Sequence, residues 1–250
     1  MNIYETDKLL SEYLLFHYGT AEQTGAPPGM EPALDFPVRC VRECVDAKLL
    51  PEGARALDLG CAVGRSTFEL ARICTVAGGI DFSRTFIAAA QVLCRDGSFV
   101  FGRIEEGRVK SSLLAHAPAD VDRERIAFET GDAMELRADL GGFDVVLMAN
   151  LIDRLREPQR CLARLPSLVK PGGQLVITSP YTWLEEFTPR ENWLGGFLRD
   201  GMRVATLDGL QAALANDFEL TGTKDLPFLI REHARKFQLS IAQASLWRRR

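Results

Sequence analysis

The chain has 250 residues, a length that fits one α/β domain with a cover or lid. Hydrophobic residues make up 46% and charged residues 26%, a globular balance that excludes a disordered chain, a collagen-like chain and a coiled-coil rod. With 30 Lys and Arg against 34 Asp and Glu, the net charge of -4 leaves no basic footprint for nucleic acid, and Arg248-Arg249-Arg250 is too short to supply one.

Met1 to Lys8 is polar and has no apolar h-region, and no apolar run nears the roughly 20 residues that span a bilayer. A cytoplasmic location, with no membrane and no nucleic-acid partner, is the expectation. Thr6 to His17 reads as a first helix, with Thr6 as N-cap, Leu9, Leu10, Tyr13 and Leu14 on one face and Gly19 as stop. Thr20 to Pro32 is rich in Gly and Pro and reads as a loop. Asp35-Phe36-Pro37 opens a second helix, with Val38, Val41 and Val45 on one face, ending near Leu50. Residues 1–50 thus form a helical cover.

From Ala54 the pattern changes to strand–helix alternation. Strands are predicted over Ala54–Gly60, Val76–Asp81, Ile126–Gly131, Phe143–Ala149 and Gln174–Ser179, the last after the turn Pro171-Gly172-Gly173. Helices are predicted over Arg65–Cys74, Arg84–Arg95 and Pro158–Val169. Such alternation predicts a parallel sheet covered on both faces. Ser98–Leu113 interrupts it as an inserted β-hairpin, so the core spans residues 54–180 with a hairpin near 98–113. Residues 181–203 are aromatic, charged and Gly-rich, too long for an ordinary connection, and read as a lid. Residues 204–250 close the chain with a helix near Leu207–Ala215 and strands near Phe218–Asp225 and Leu239–Arg248.

Cys40, Cys44, Cys61, Cys74, Cys94 and Cys161 form no CxxC pair, and three histidines are too few to complete a zinc site. Buried reduced thiols and no metal are expected.

The most informative stretch is Asp58-Leu59-Gly60-Cys61-Ala62-Val63-Gly64-Arg65, between the first strand and its helix. Glycines at such a turn supply positive φ and let a ligand approach the backbone. A dinucleotide fingerprint G-x-G-x-x-G placed on Gly60 needs glycines where Ala62 and Arg65 stand. Asp81, 21 residues after Gly60, ends the second strand beside Phe82 and can accept both ribose hydroxyls of an adenosine. Asp132 and Ala133 follow the third strand, where Asp132 can also serve as an N-cap. Ligands of open α/β sheets bind beyond these carboxyl ends, which also places Asn150, Asp153, Tyr181 and Glu185 there.

The pattern D-x-G-x-x-x-G at Asp58, Gly60 and Gly64 resembles motif I of class I methyltransferases, with Ala62 where the middle glycine usually stands. The resemblance implies a Rossmann-like, mostly parallel seven-stranded sheet with an antiparallel last strand. It also implies S-adenosylmethionine as cofactor, released as S-adenosylhomocysteine. Its binding residues would be Asp58, Gly60, Cys61, Ala62, Gly64, Arg65, Asp81, Phe82, Asp132, Ala133 and Asn150.

Cys61–Arg65, Ala149–Leu155, Ser179–Arg190 and Arg235-Lys236-Phe237-Gln238 resemble more narrowly the methyltransferase family of ovothiol biosynthesis. So do Tyr4-Glu5-Thr6-Asp7 and Phe16-His17-Tyr18-Gly19, and the likeness covers nearly the whole chain. That family is often fused behind a non-haem iron sulfoxide synthase, for which this chain has no room. The resemblance therefore implies a stand-alone enzyme acting after a separate synthase and lyase. The implied reaction is methylation of an imidazole nitrogen of 4-mercaptohistidine.

Catalytic candidates are Asp153, Tyr181 and Glu185. Substrate-binding candidates are His17, Tyr18, Asn150, Trp183, Arg190 and Arg231, either arginine being suited to a carboxylate. Blander roles stand beside these: Trp183, Phe187 and Trp193 as lid core, His17 as a satisfied helix-end residue, Arg190 paired to Glu186. Two other functions remain open: methylation of another small amine, thiol or acid, and non-catalytic binding of S-adenosylmethionine as partner of a synthase.

Overall fold

The structure, a computed structural model, describes residues 3–250, so Met1 and Asn2 of the polar start lie outside the described residues. Three helices come first: α1 (Asp7–Tyr18), α2 (Ala21–Thr24) and α3 (Phe36–Arg42). Next are β1 (Arg55–Leu59), α4 (Arg65–Leu70), β2 (Val76–Asp81) and α5 (Arg84–Asp96). The inserted hairpin is β3 (Ser98–Glu106) and β4 (Val109–His116), followed by β5 (Ile126–Thr130), β6 (Phe143–Ala149) and α6 (Pro158–Leu168). The chain continues through β7 (Val169–Ser179), the short ribbon β8 (Phe197–Arg199) and β9 (Met202–Val204), α7 (Thr206–Leu214), β10 (Phe218–His233) and β11 (Lys236–Arg249).

Seven strands form one sheet in the order β10-β11-β7-β6-β1-β2-β5. The pairs among β5, β2, β1, β6 and β7 are parallel, and β11 runs antiparallel to both β7 and β10. Side chains alternate between the two faces, as a pleated strand requires. Ala56, Val145, Leu147 and Val176 pack toward α3, α4, α5 and the α1 cover. Leu57, Val146, Met148, Leu175 and Ile177 pack toward α6, α7 and the segment after β7. Burial on both faces explains why β6 reads as an apolar run after Asp144.

Several expected boundaries move. Thr6 Oγ1 accepts from the Leu9 N–H (3.3 Å), as an N-cap should. The second helix stops at Arg42 and not near Leu50, because the backbone at Asp46 is tied to the Gln174 amide through two bonds of 2.8 and 2.9 Å. The helix after the glycine loop ends at Leu70, four residues early, where the chain turns to reach β1 through Thr75 N–H and Ala54 O (2.8 Å). The Pro171-Gly172-Gly173 turn is looped out within β7, whose pairing with β6 skips from Val169 to Gln174.

β10 and β11 are longer than expected. Ser179, the last residue of β7, pairs with Gln243, which in turn pairs with Asp225. Residues 226–242 therefore run beyond the carboxyl end of β7 as a two-stranded hairpin. It packs on α1 and on β3, so α1 lies between two hairpins above the sheet's carboxyl edge.

Candidate active site

The glycine loop connects β1 to α4. Gly60 (φ 79°) and Gly64 (φ 88°) take left-handed conformations, and a Cβ on Gly64 would sit 2.5 Å from the Phe128 ring. Ala62 is also left-handed (φ 47°), at the position of the usual middle glycine. Its N–H donates to Asp81 Oδ2 (2.9 Å), and the Ser83 N–H donates to Asp81 Oδ1 (2.8 Å). Asp81 thus holds the loop from the neighbouring strand, with lone pairs remaining on both oxygens. Burial raises its carboxyl above the usual range.

Asp58 is 1% exposed. One of its oxygens accepts from the Thr67 hydroxyl (2.8 Å), and the other is buried without a partner among the described residues. Burial pushes its carboxyl up to about 7. A buried, unsatisfied carboxylate oxygen beside a glycine turn suits a ligand ammonium group. Cys61 is buried in the loop, Arg65 pairs with Glu69 (3.1 Å) within α4, and Phe82 is 63% exposed beside Asp81. Asp132 Oδ1 accepts from its own turn at the Met134 N–H (2.8 Å), and Ala133 is buried beneath it.

Asn150 ends β6 in a left-handed conformation (φ 53°). Its side chain accepts from the Thr178 hydroxyl (3.1 Å), which links the ends of β6 and β7. Tyr181, just past β7, is left-handed as well (φ 54°). Its hydroxyl donates to Gln243 Oε1 (3.0 Å), and burial pushes the phenol up to about 12. Asp153 is fully buried. Its Oδ2 accepts from the Thr182 N–H (2.9 Å), its Oδ1 has no partner among the described residues, and burial raises its carboxyl. Asp81, Asn150, Asp153 and Tyr181 therefore gather at neighbouring strand ends.

Other candidates are placed differently. Glu185 and Arg190 are exposed on the segment after β7. Trp183 is 8% exposed, donates to Thr206 Oγ1 (2.8 Å) and stacks on Trp193, so its indole belongs to the core under α7. Arg231 is buried in the long hairpin and bound to Glu105 (2.6 Å) and Thr24 O (2.9 Å), bracing the two hairpins. Tyr18 donates to Val63 O (2.7 Å) and pins the glycine loop from above. His17 is stacked on Tyr13, and burial drives its imidazole down to about 3. The cysteines are free thiols, five of them buried, with Cys94 half-buried.

Tyr4 and Arg154 complete the cleft and were absent from the sequence-derived site. The Tyr4 phenol meets the Arg154 guanidinium, near Asp81 and Asp153. Arg154 donates to Asp153 O (3.1 Å) and Thr182 O (3.0 Å) and covers the Phe187 ring at 4.8 Å. Both residues lie within the runs Tyr4–Asp7 and Ala149–Leu155, so proximity to Asp153 was the available signal for Arg154.

A doubly covered sheet in this order, with a glycine turn after β1 and an acid at the end of β2, defines a Rossmann-like, nucleoside-binding class of fold. The methyltransferase-domain family profile matches residues 50–222, and the chain belongs to that family. Its cofactor is S-adenosylmethionine, and the orphaned Asp58 oxygen, the left-handed loop and Asp81 fit that group.

Among curated relatives, the ubiquinone biosynthesis O-methyltransferase of Xanthomonas axonopodis pv. citri is 29% identical over 143 residues, 57% of this chain and 49% of that protein. The demethylmenaquinone methyltransferase of Bacillus subtilis is 30% identical over 128 residues, 50% of this chain and 45% of that protein. The chain thus spans about half the length of these relatives. A SAM-dependent methyltransferase from Methanosarcina mazei superposes with TM-score 0.52 at 18% identity, covering 80% of this chain and 94% of that one. The N-methyltransferase NodS of Bradyrhizobium japonicum, in complex with S-adenosylhomocysteine, gives 0.50 at 16%, covering 94% and 98%. These two likenesses concern the fold. No helix among the described residues is long and apolar enough to cross a membrane.

Proposed function

We propose that the chain transfers a methyl group to an imidazole ring nitrogen of 4-mercaptohistidine, giving ovothiol A. The observation that supports this reading is Asp153, a fully buried carboxylate at the strand ends with one oxygen fixed by Thr182 and the other unpartnered. The runs Ala149–Leu155 and Ser179–Arg190, which carry the family resemblance, surround it.

When bound, S-adenosylmethionine supplies an electrophilic methyl on a sulfonium. The protein's task is then alignment of the acceptor lone pair with that methyl. Asp58 would hold the cofactor's ammonium and Asp81 its ribose, while Asp132 and Ala133 would meet the adenine. Asp153 Oδ1 accepts a ring N–H of the substrate, which fixes the imidazole tautomer and turns the competing sulfur away. It then takes the proton as the methylated ring sheds it. Tyr181 is a weaker base candidate, because its hydroxyl is committed to Gln243 and its phenol is pushed up to about 12. Glu185 is solvated and has no comparable hold.

Asp153→Asn preserves shape and removes the base. Turnover should fall by about 10²–10⁴-fold, the usual range for a general base. A loss within about tenfold removes the base role. Mass spectrometry and NMR of the product locate the methyl group, and S-methylation or no reaction overturns the substrate reading. The quinone-pathway names of the curated relatives favour a second reading, methylation of another small molecule, for which the same assay with varied acceptors decides. A separate sulfoxide synthase and lyase would supply the thiolated substrate.

A further inference from the structure

The cleft is closed on one side by residues 4–6, and their attachment is specific. Glu5 Oε1 accepts from the Arg84 N–H (3.0 Å), and Oε2 accepts from the Thr85 N–H (3.2 Å) and hydroxyl (2.6 Å). A carboxylate on the first turn of a 13-residue helix satisfies orphan N–H groups and opposes the positive end of its dipole. The Thr85 hydroxyl holds the Glu5 carboxyl below its ordinary range. Beside it, Ser83 Oγ donates to Tyr4 O (2.9 Å) and accepts from the Phe86 N–H (3.1 Å), while the Ser83 N–H binds Asp81. The ribose acid and the segment thus share one serine.

Tyr4 spans the cleft. Its ring meets Phe86 of α5 (6.1 Å), Tyr13 of α1 (6.4 Å) and Phe187 of the segment after β7 (6.4 Å), and its phenol meets Arg154. Glu5 itself is exposed, and hydrogen bonds open to solvent are the ones that break at little cost.

We propose that residues 4–6 are a strap that closes over the bound cofactor, with Glu5 as its latch on α5 and Tyr4 as a positioning residue. Closure sets Tyr4 against Arg154 and so steadies Asp153. Opening at Glu5 lets S-adenosylhomocysteine leave. The inference rests on S-adenosylmethionine occupying the Asp58–Asp81 site and is independent of the acceptor's identity.

The test uses the full chain and labelled S-adenosylhomocysteine in a chase experiment. Glu5→Ala should speed dissociation about tenfold, the effect of losing one charge-assisted hydrogen-bonded contact. Thr85→Val, which leaves the strap's own residues intact, should speed it by a smaller factor. Hydrogen exchange gives an independent readout: the Arg84 and Thr85 amides should gain protection on ligand binding in the parent protein and not in Glu5→Ala. A Glu5 that serves only as a helix cap would lose protection equally with and without ligand.

Dissociation within about twofold of the parent in both variants, a difference below 0.5 kcal/mol, overturns the strap. If Glu5→Ala fails to fold, Thr85→Val decides. Failure of the parent protein to bind S-adenosylhomocysteine at all overturns the cofactor site and the strap with it, whereas binding with unchanged dissociation in the variants overturns the strap alone.

Discussion

Ala62, Asn150 and Tyr181 follow β1, β6 and β7 in left-handed conformations that non-glycine residues seldom adopt. For Ala62 and Tyr181 this strain costs roughly 1–2 kcal/mol, whereas asparagine enters this region more readily. Ala62→Gly removes that strain at the price of some chain entropy, so stability should rise by up to about 1 kcal/mol in urea melts, with cofactor affinity retained. Two buried groups set opposite pH slopes. Asp58, raised from 3.8 to about 7, binds its proton more tightly when folded, so its contribution to stability falls as pH rises from about 4 to about 7. His17, lowered from 6.5 to about 3, is held neutral when folded, so its contribution is lost as pH falls from about 6.5 to about 3. Thermal melts should therefore show Asp58→Asn losing more stability than the parent on acidification from pH 6.5 to 4, and His17→Gln losing less. Sequence made Asp58 and Asp81 visible through their spacing around Gly60. It did not show that Trp183 faces α7, because a solvent-facing and a core-facing indole read alike in an irregular segment.

At the scale of elements, the two hairpins are the notable additions to the parallel core. Arg231 of β10 joins them through Glu105 of β3, and Arg103 and Ser111 add to the same carboxylate. Without Arg231 the half-buried Glu105 keeps Arg103 and Ser111, so the cost falls short of that of a stranded buried charge. Arg231→Met should destabilise the chain by about 2 kcal/mol in urea, with little change in substrate KM. A large KM increase at unchanged stability would instead return Arg231 to the substrate carboxylate. The β3–β4 hairpin was legible from two extended runs around Glu105-Glu106-Gly107. The extension of β10 was hidden by Pro227, which reads as a strand breaker. Proline is tolerated there because β10 is an edge strand of the sheet. α2 was hidden as well: its capping box of Thr20 and Gln23 lies in a stretch whose Gly and Pro content reads as loop.

At the scale of the molecule, any ligand that binds only the folded form stabilises it by mass action. S-adenosylhomocysteine at 100 times its Kd should add about 2.7 kcal/mol and raise Tm by roughly 5–10 °C for a chain of this size. NAD at the same concentration should leave Tm unchanged, since Ala62 and Arg65 occupy two positions of the dinucleotide fingerprint. Local patterns disclosed the parallel class of the sheet, whereas the place of β11 between β7 and β10 depends on pairings more than 60 residues apart. That placement has a consequence for the newborn chain. On a ribosome, β7 emerges long before the strand that will cover its flank, and its row of open N–H and C=O groups must wait for residues 243–248. Tyr181 likewise waits for Gln243, 62 residues further along the chain. The cleft therefore cannot be complete before the residues of β11 have been made, and the β7 flank, closed by the most distant pairings, will be slow to fold.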